Sequence, residues 1–188
     1  MATQKGIEKW KNKKWFTVYA PKVFENKAFG EIPANDEKAL IGRNIKATLN
    51  VFTGNPEHSY TNVIFKILEA KGNAANTKME RMELPYSYTK SLAKKFKSVF
   101  GLRVVATTKD NTKMVIKLLV ITSRRTATAK IKGMRKQLEQ FTQKYFTGGT
   151  MEEGVKSIAD KRFQSDAAAL LSDISRVSNI EIKKLEIE

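Results

Sequence analysis

The hydrophobic period of this chain changes within one segment, and that change restricts the fold more than any other feature. Met114–Ile121 is a short apolar run of leucine and β-branched residues, with the length and composition of a buried strand. Ile131, Met134, Leu138, Phe141 and Tyr145 then recur at alternating steps of three and four, which lines one face of a helix. Between and within these patterns stand Arg124, Arg125, Lys130, Lys132, Arg135 and Lys136, with no acid before Glu139. A strand on one side and a helix seam on the other hold these cations to a folded body. The segment reads as a nucleic-acid-facing element built into a domain.

The rest of the chain supplies further strands and helices. Trp15–Ala20 joins aromatic and β-branched residues and stops at Pro21, predicting a first strand with Trp15 in the core. Gly30, Pro33, Asn35, Asp36 and Gly42 mark turns around a short extended piece. Asn44–Val51 places Ile45, Ala47, Leu49 and Val51 on one face of a half-buried strand. Asn62–Leu68 is apolar on both faces and predicts a central strand, and Thr77–Leu84 alternates imperfectly up to Pro85. Ser87 or Thr89 caps a predicted helix through Phe100, with Leu92, Phe96 and Val99 inward and Gly101 as its stop. Leu102–Thr108 and Lys113–Ile121 flank the turn-forming group 109–112, which makes a hairpin.

After the long helix, Thr150 and Glu153 form a capping-box pattern. Ser165 or Asp166 starts another helix with Leu170, Leu171, Ile174 and Val177 inward. Ile180–Ile187 alternates in two phases, which a bulge near Lys183 explains. The fold class is α+β: a mostly antiparallel curved sheet with about four helices, its closure into a partial or complete barrel left open by the spacing. Residues 1–14 form a basic N-terminal tail and residues 15–188 a single RNA-binding domain.

A net charge of +16 repels itself unless a polyanion neutralises it. Residues 91–150 hold 14 Lys and Arg against two acids, Asp110 and Glu139, whereas residues 151–188 hold six against eight. The middle therefore binds and the C-terminal part packs. With no cysteine, disulfides, thiolate metal sites, Fe–S clusters and cysteine nucleophiles are excluded together, as suits an intracellular protein. The one histidine, His58, follows Pro56 and Glu57 and reads as a loop-surface residue without a catalytic role. Asp36-Glu37 and Glu152-Glu153 fall in a turn and in a first helical turn, where acids meet the helix dipole. No glycine-rich phosphate cradle is present, because Gly148-Gly149 follows a helix instead of preceding one.

These observations predict no catalytic residue, no metal, no cofactor and no small-molecule substrate. No apolar run approaches the roughly 18 residues of a membrane span, and Lys5, Glu8, Lys9 and Lys11 precede any apolar stretch, so neither a membrane segment nor a secretion signal is expected.

The candidate RNA-binding residues form three groups. Lys9, Trp10, Lys11, Lys13 and Lys14 belong to the tail, where an exposed Trp10 among lysines can stack on an unpaired base. Lys90, Lys94 and Lys97 lie on the outer face of the predicted 87–100 helix. Arg124, Arg125, Lys130, Lys132, Arg135 and Lys136 form the third group. Three arginines within twelve residues, with Ser123, Thr126 and Thr128 as further phosphate donors, favour RNA over other polyanions. An anionic membrane is disfavoured because the apolar stripe has the regularity of core packing.

Several stretches occur in an order that matches a known family. They are Lys14–Phe24 with its Trp-aromatic, Ala-Pro and Phe pattern, the Gly-Arg strand Ile41–Leu49, and the Thr-Thr hairpin Val104–Val120. The basic linker Arg124–Lys136 and the closing strand Ile180–Leu185 follow. Together they cover nearly the whole chain and resemble the archaeal and eukaryotic small-subunit ribosomal proteins of the S-three-a family, also called S-one-e. The absence of a longer lysine-rich N-terminal extension, and an end soon after the last strand, fit an archaeal form. The linker has Thr126–Ala129 where the family has a Ser-Tyr-Ala-like sequence.

The resemblance implies a non-enzymatic structural constituent of the small ribosomal subunit, ribosome-bound in the cytoplasm. It further implies binding to ribosomal RNA on the platform near the messenger exit. The implied partners are small-subunit ribosomal RNA, neighbouring small-subunit ribosomal proteins and messenger RNA near that exit. The alternative is a transient RNA-binding translation or RNA-processing factor.

Overall fold

The computed structural model describes residues 13–187. They fall into two compact units, one running through Ala47 and including Val63–Glu80, the other comprising Thr48–Asn62 and the chain from Arg81 onward. Eight strands and five helices among the described residues give the α+β class.

The first unit is built from β1 (Lys14–Tyr19), β2 (Ala28–Ala34), most of β3 (Asn44–Thr48) and β4 (Asn62–Lys71), and the first seven residues of β5 (Ala74–Glu83). β1 runs antiparallel to β2 from Lys14 opposite Ala34 to Tyr19 opposite Ala28. Its other edge pairs in parallel with Ala74–Asn76 of β5, and β4 lies between β5 and β3. Phe16, Val18, Ala34, Leu40, Ile67 and Ala75 form the core. Alternation along β1 puts Phe16 and Val18 inside and turns Trp15 out, leaving it 56% exposed. The expectation of a core Trp15 is thus overturned: adjacent residues of a strand face opposite ways, and Phe16 takes the inner position. Phe65 is fully buried, meeting Phe24 edge-on at 5.8 Å and Phe29 at 5.0 Å.

The second unit orders its strands as the end of β5 (Arg81–Glu83), β8 (Val177–Ile187), β7 (Lys113–Thr122) and β6 (Val99–Thr107), all antiparallel. The hairpin predicted around residues 109–112 is the β6–β7 pair. In the β7–β8 ladder Lys117 opposes Lys184 while Leu118 opposes Ile182. Lys183 is the extra residue, a bulge where the two-phase alternation placed it, and its carbonyl accepts the Leu84 N–H at 3.0 Å. Among the described residues β2, β3 and β6 each pair with a single neighbour, so their sheet does not close into a barrel.

The helices of this unit are α1 (Asn50–Thr53), α2 (Tyr86–Ser91), α3 (Thr128–Thr147), α4 (Met151–Ala159) and α5 (Arg162–Ser172). α3 packs on β6 and α5 on β8. Met134, Leu138, Thr142 and Phe146 are the buried positions of α3, so the expected stripe holds in its first half and shifts by one residue at its end. Phe163 of α5 is fully buried against the rings of Phe141, Tyr145 and Phe146, with centroids 5.1–5.9 Å apart. Thr150 and Glu153 make the predicted capping box at α4.

Three local expectations are corrected. The strand expected through Val51 ends at Thr48, because the chain turns into α1 and is released by Gly54 at φ 68°. The helix expected through Phe100 stops at Ser91. Phe96 has a left-handed φ of 65°, which no helix accommodates, and Val99 and Phe100 join β6 opposite Ile121 and Val120. The helix expected from Ser165 begins earlier, at Arg162, which brings Phe163 into the core.

Candidate nucleic-acid interface

The basic linker runs from the end of β7 to the start of α3, and a set of short polar side chains fixes it in place. Thr122 is fully buried. Its hydroxyl oxygen accepts the Ser98 N–H at 3.1 Å and lies 2.6 Å from the Arg124 carbonyl. The Thr122 N–H donates to the Ser98 carbonyl at 3.0 Å. Further along, the Thr126 N–H donates to Ser98 Oγ at 3.0 Å, and the Thr126 hydroxyl lies 3.1 Å from the Arg124 carbonyl and 3.3 Å from Ser175 Oγ. On the other side the Ser123 N–H donates to the Arg176 carbonyl at 3.0 Å. The backbone of 122–126 is thus clasped between the start of β6 and the turn before β8, while Arg124 and Arg125 stay exposed.

α3 continues this surface. Its N-cap is Ala127, no side chain caps it, and no acid sits in its first turn. The positive end of the helix dipole therefore adds to Lys130 and Lys132. Lys130, Lys132, Arg135 and Lys136 are all exposed. Arg135 places its guanidinium carbon 5.6 Å from the ring centroid of buried Phe100. The strand-then-helix change of period thus yields what the sequence suggested: cations on a fixed base. The Thr126 hydroxyl is an exception, since it is engaged by the Arg124 carbonyl and Ser175.

The other candidates are distributed unevenly. Lys97 reaches Ser178 Oγ at 3.0 Å, and the clasp at Ser98 brings residue 97 next to the linker. Lys90 belongs to α2, where its ammonium lies 5.6 Å from the Tyr86 ring centroid. Lys94 is exposed in the turn after α2 and not on a helix face. Lys13 and Lys14 lie at the start of the first unit, Lys14 as the first residue of β1. Lys9, Trp10 and Lys11 fall outside the described residues. Sequence reasoning misses Arg176 and Lys95. Arg176 falls in the acid-rich C-terminal part that the charge distribution marks for packing, yet its carbonyl holds Ser123. Lys95 is off the outer face of the predicted 87–100 helix, but with that helix absent its ammonium lies 5.6 Å from the Phe96 ring centroid.

The acids of this unit make a different environment. A cavity of about 330 Å³ is lined by Glu57, Tyr60, Tyr88, Lys161, Gln164, Asn179, Ile180 and Glu181. Tyr60 and Tyr88 stack at 4.7 Å, and Lys161 pairs with Glu57 at 2.5 Å. Burial raises the Glu181 carboxyl above its ordinary value, against a hydrogen bond from Asn179 at 2.8 Å. His58 is 6% exposed, not on the surface as expected. The turn 56–58 folds its ring back so that Nδ1 lies 3.0 Å from Thr53 Oγ1. Burial lowers its pKa, with the Lys161 charge adding to the effect. Among the described residues no three acidic or histidine side chains gather in a metal-binding group. No helix there is long and apolar enough to cross a membrane.

Comparison with known proteins agrees with the ordered resemblance. A model of the ribosomal S3Ae family matches residues 1–188. The small ribosomal subunit protein eS1 of Desulfurococcus amylolyticus is 30% identical over 184 residues, covering 96% of this chain and 84% of its own. That of Methanobrevibacter smithii is 28% identical, covering 95% and 92%, and that of Haloarcula marismortui is 26% identical, covering 100% and 88%. With eight strands and five helices among the described residues, a clasped basic linker, and a sequence match over residues 1–188, the chain belongs to the ribosomal S3Ae family.

Proposed function

We propose that this protein is a structural constituent of the small ribosomal subunit that binds ribosomal RNA through the surface formed by Arg124–Lys136 and the flanking Lys97. Membership of a ribosomal-protein family makes it a structural component and not an enzyme, ribosome-bound in the cytoplasm. One observation carries the RNA-binding part: the linker backbone is pinned by Thr122, Ser98 and the Arg176 carbonyl while Arg124 and Arg125 remain exposed. Guanidinium groups borne on a fixed backbone in an acid-free stretch suit phosphates, each of which accepts forked hydrogen bonds. Ordering such a linker only on binding would cost conformational entropy that the clasp has already removed. On the family resemblance, we propose the platform near the messenger exit as its position, with messenger RNA and neighbouring small-subunit proteins close by.

The test is the salt dependence of binding between pure protein and small-subunit ribosomal RNA. For about six to ten bound phosphates the log–log slope is roughly −4 to −9. A nearly salt-independent affinity sinks the electrostatic account. Loss of the protein from ribosomal particles during a high-salt wash points instead to a transient factor.

A further inference from the structure

Phe96 breaks two rules of a soluble fold at once. Its ring is 79% exposed, more than any other large hydrophobic side chain among the described residues, and its backbone is left-handed at φ 65°. Leaving a phenylalanine in water forgoes its burial, and holding a bulky residue in that conformation adds steric strain. Neither helps the fold, because the next core residue, Phe100, is already in β6. Strain of this kind persists where the surroundings fix it. Here they do: the Lys97 N–H donates to the Lys94 carbonyl at 3.3 Å, and Ser98 is clasped to Thr122 and Thr126.

The chemistry around the ring is one-sided. Lys94, Lys95 and Lys97 surround Phe96 in sequence with no acid between Tyr86 and Val99. Lys95 sets its ammonium 5.6 Å from the ring centroid. An aromatic face amid cations, attached through Ser98 to the arginine linker, is the combination that holds a single-stranded nucleic acid: the lysines take phosphates and the ring takes a base. A base inside a duplex has no free face, so the ligand is unpaired RNA.

We propose that Phe96 is a base-stacking residue that captures an unpaired nucleotide of RNA, beside the phosphate-binding linker. This rests on the RNA-binding function proposed above and names the kind of RNA element that the surface takes.

The experiment measures binding of the full chain to a single-stranded uridine 20-mer and to a duplex of the same length, for wild type and for Phe96→Ala, Phe96→Leu and Phe96→Trp. Phe96→Ala and Phe96→Leu should weaken single-strand binding about tenfold, with the salt slope unchanged because every phosphate keeps its cation. Phe96→Trp should bind at least as well as wild type, and duplex binding should be the same for all. Thermal unfolding checks each variant, and the exposed position should leave Tm at or above the wild-type value.

Wild-type affinity in Phe96→Ala overturns the proposal, and so does wild-type affinity in Phe96→Leu, which would show simple apolar contact. If Phe96→Ala binds the 20-mer normally but is lost from ribosomal particles, the ring docks on a protein and the proposal fails. If wild type binds neither RNA, the RNA-binding function fails first, and this inference with it.

Discussion

Thr122 is joined to Ser98 both by its backbone, whose N–H donates to the Ser98 carbonyl at 3.0 Å, and by its side chain, whose hydroxyl oxygen accepts the Ser98 N–H at 3.1 Å while fully buried. The same hydroxyl faces the Arg124 carbonyl at 2.6 Å. One β-branched residue at the end of β7 therefore sets the direction in which the chain leaves the sheet toward the arginines.

Replacing Thr122 by Val keeps the shape and removes the hydroxyl. The Ser98 N–H and the Arg124 carbonyl then lose a partner, which should destabilise the fold by about 1–3 kcal/mol, read by urea denaturation. Thr122→Ser should recover most of this. RNA affinity should fall in the Val variant although no cation is touched. A Val variant as stable as wild type would show that the clasp contributes nothing.

Arg124, Arg125, Lys132 and Arg135 are exposed, and their joint replacement by Ala should leave Tm within a few degrees of wild type. The salt slope of RNA binding should become shallower by about three to four, since each residue removed leaves one phosphate without its cation. Unfolding of this variant would instead make the four residues structural.

His58 makes the stability of its unit depend on pH. Its folded pKa lies below the unfolded value of 6.5, so between the two the unfolded chain binds more protons and stability rises with pH. The contribution is complete above about pH 6.5 and is lost as pH falls through that value toward the folded pKa. Melting curves from about pH 7.5 to 5.5 should show this decline, and His58→Gln should flatten it. A wild-type Tm that is constant across this range would contradict the buried, unprotonated ring.

Glycine adopts φ near 65° without strain, so Phe96→Gly should raise stability by about 1 kcal/mol. If stacking is the role of the ring, the same variant should lose affinity for unpaired RNA. Gain in one measurement with loss in the other separates a functional residue from a structural one.

Where the sequence leads correctly, one local pattern has only one solution. The two phases of Ile180, Ile182, Leu185 and Ile187 require an extra residue, and Lys183 supplies it. Thr150 and Glu153 satisfy each other wherever a helix starts there. The basic linker is legible because charge and period are both sequence properties. The clasp is not: Ser98, Thr122, Thr126 and Ser175 are spread along the sequence, and nothing in a lone serine tells which distant backbone it meets.

Residues 87–100 mislead for a related reason. Leu92, Phe96 and Val99 have helical spacing, but the β6 ladder claims Val99 and Phe100, and tertiary pairing outweighs a short periodic pattern. His58 is misread because its burial depends on a helical turn that replaces the end of an expected strand.

The position of β8 bears on how the chain is made. It lies between β5 and β7, yet it follows both in the sequence by many residues. A nascent chain that has emerged only through α5 can form the β6–β7 hairpin, whose pairing is local, but the other edge of β7 has no partner. Met114, Ile116, Leu118 and Val120 flank that open edge, an invitation to pairing with other chains. The second unit thus completes its sheet only after residues 177–187 leave the exit tunnel, and in that interval the unfinished protein depends on whatever shields the β7 edge.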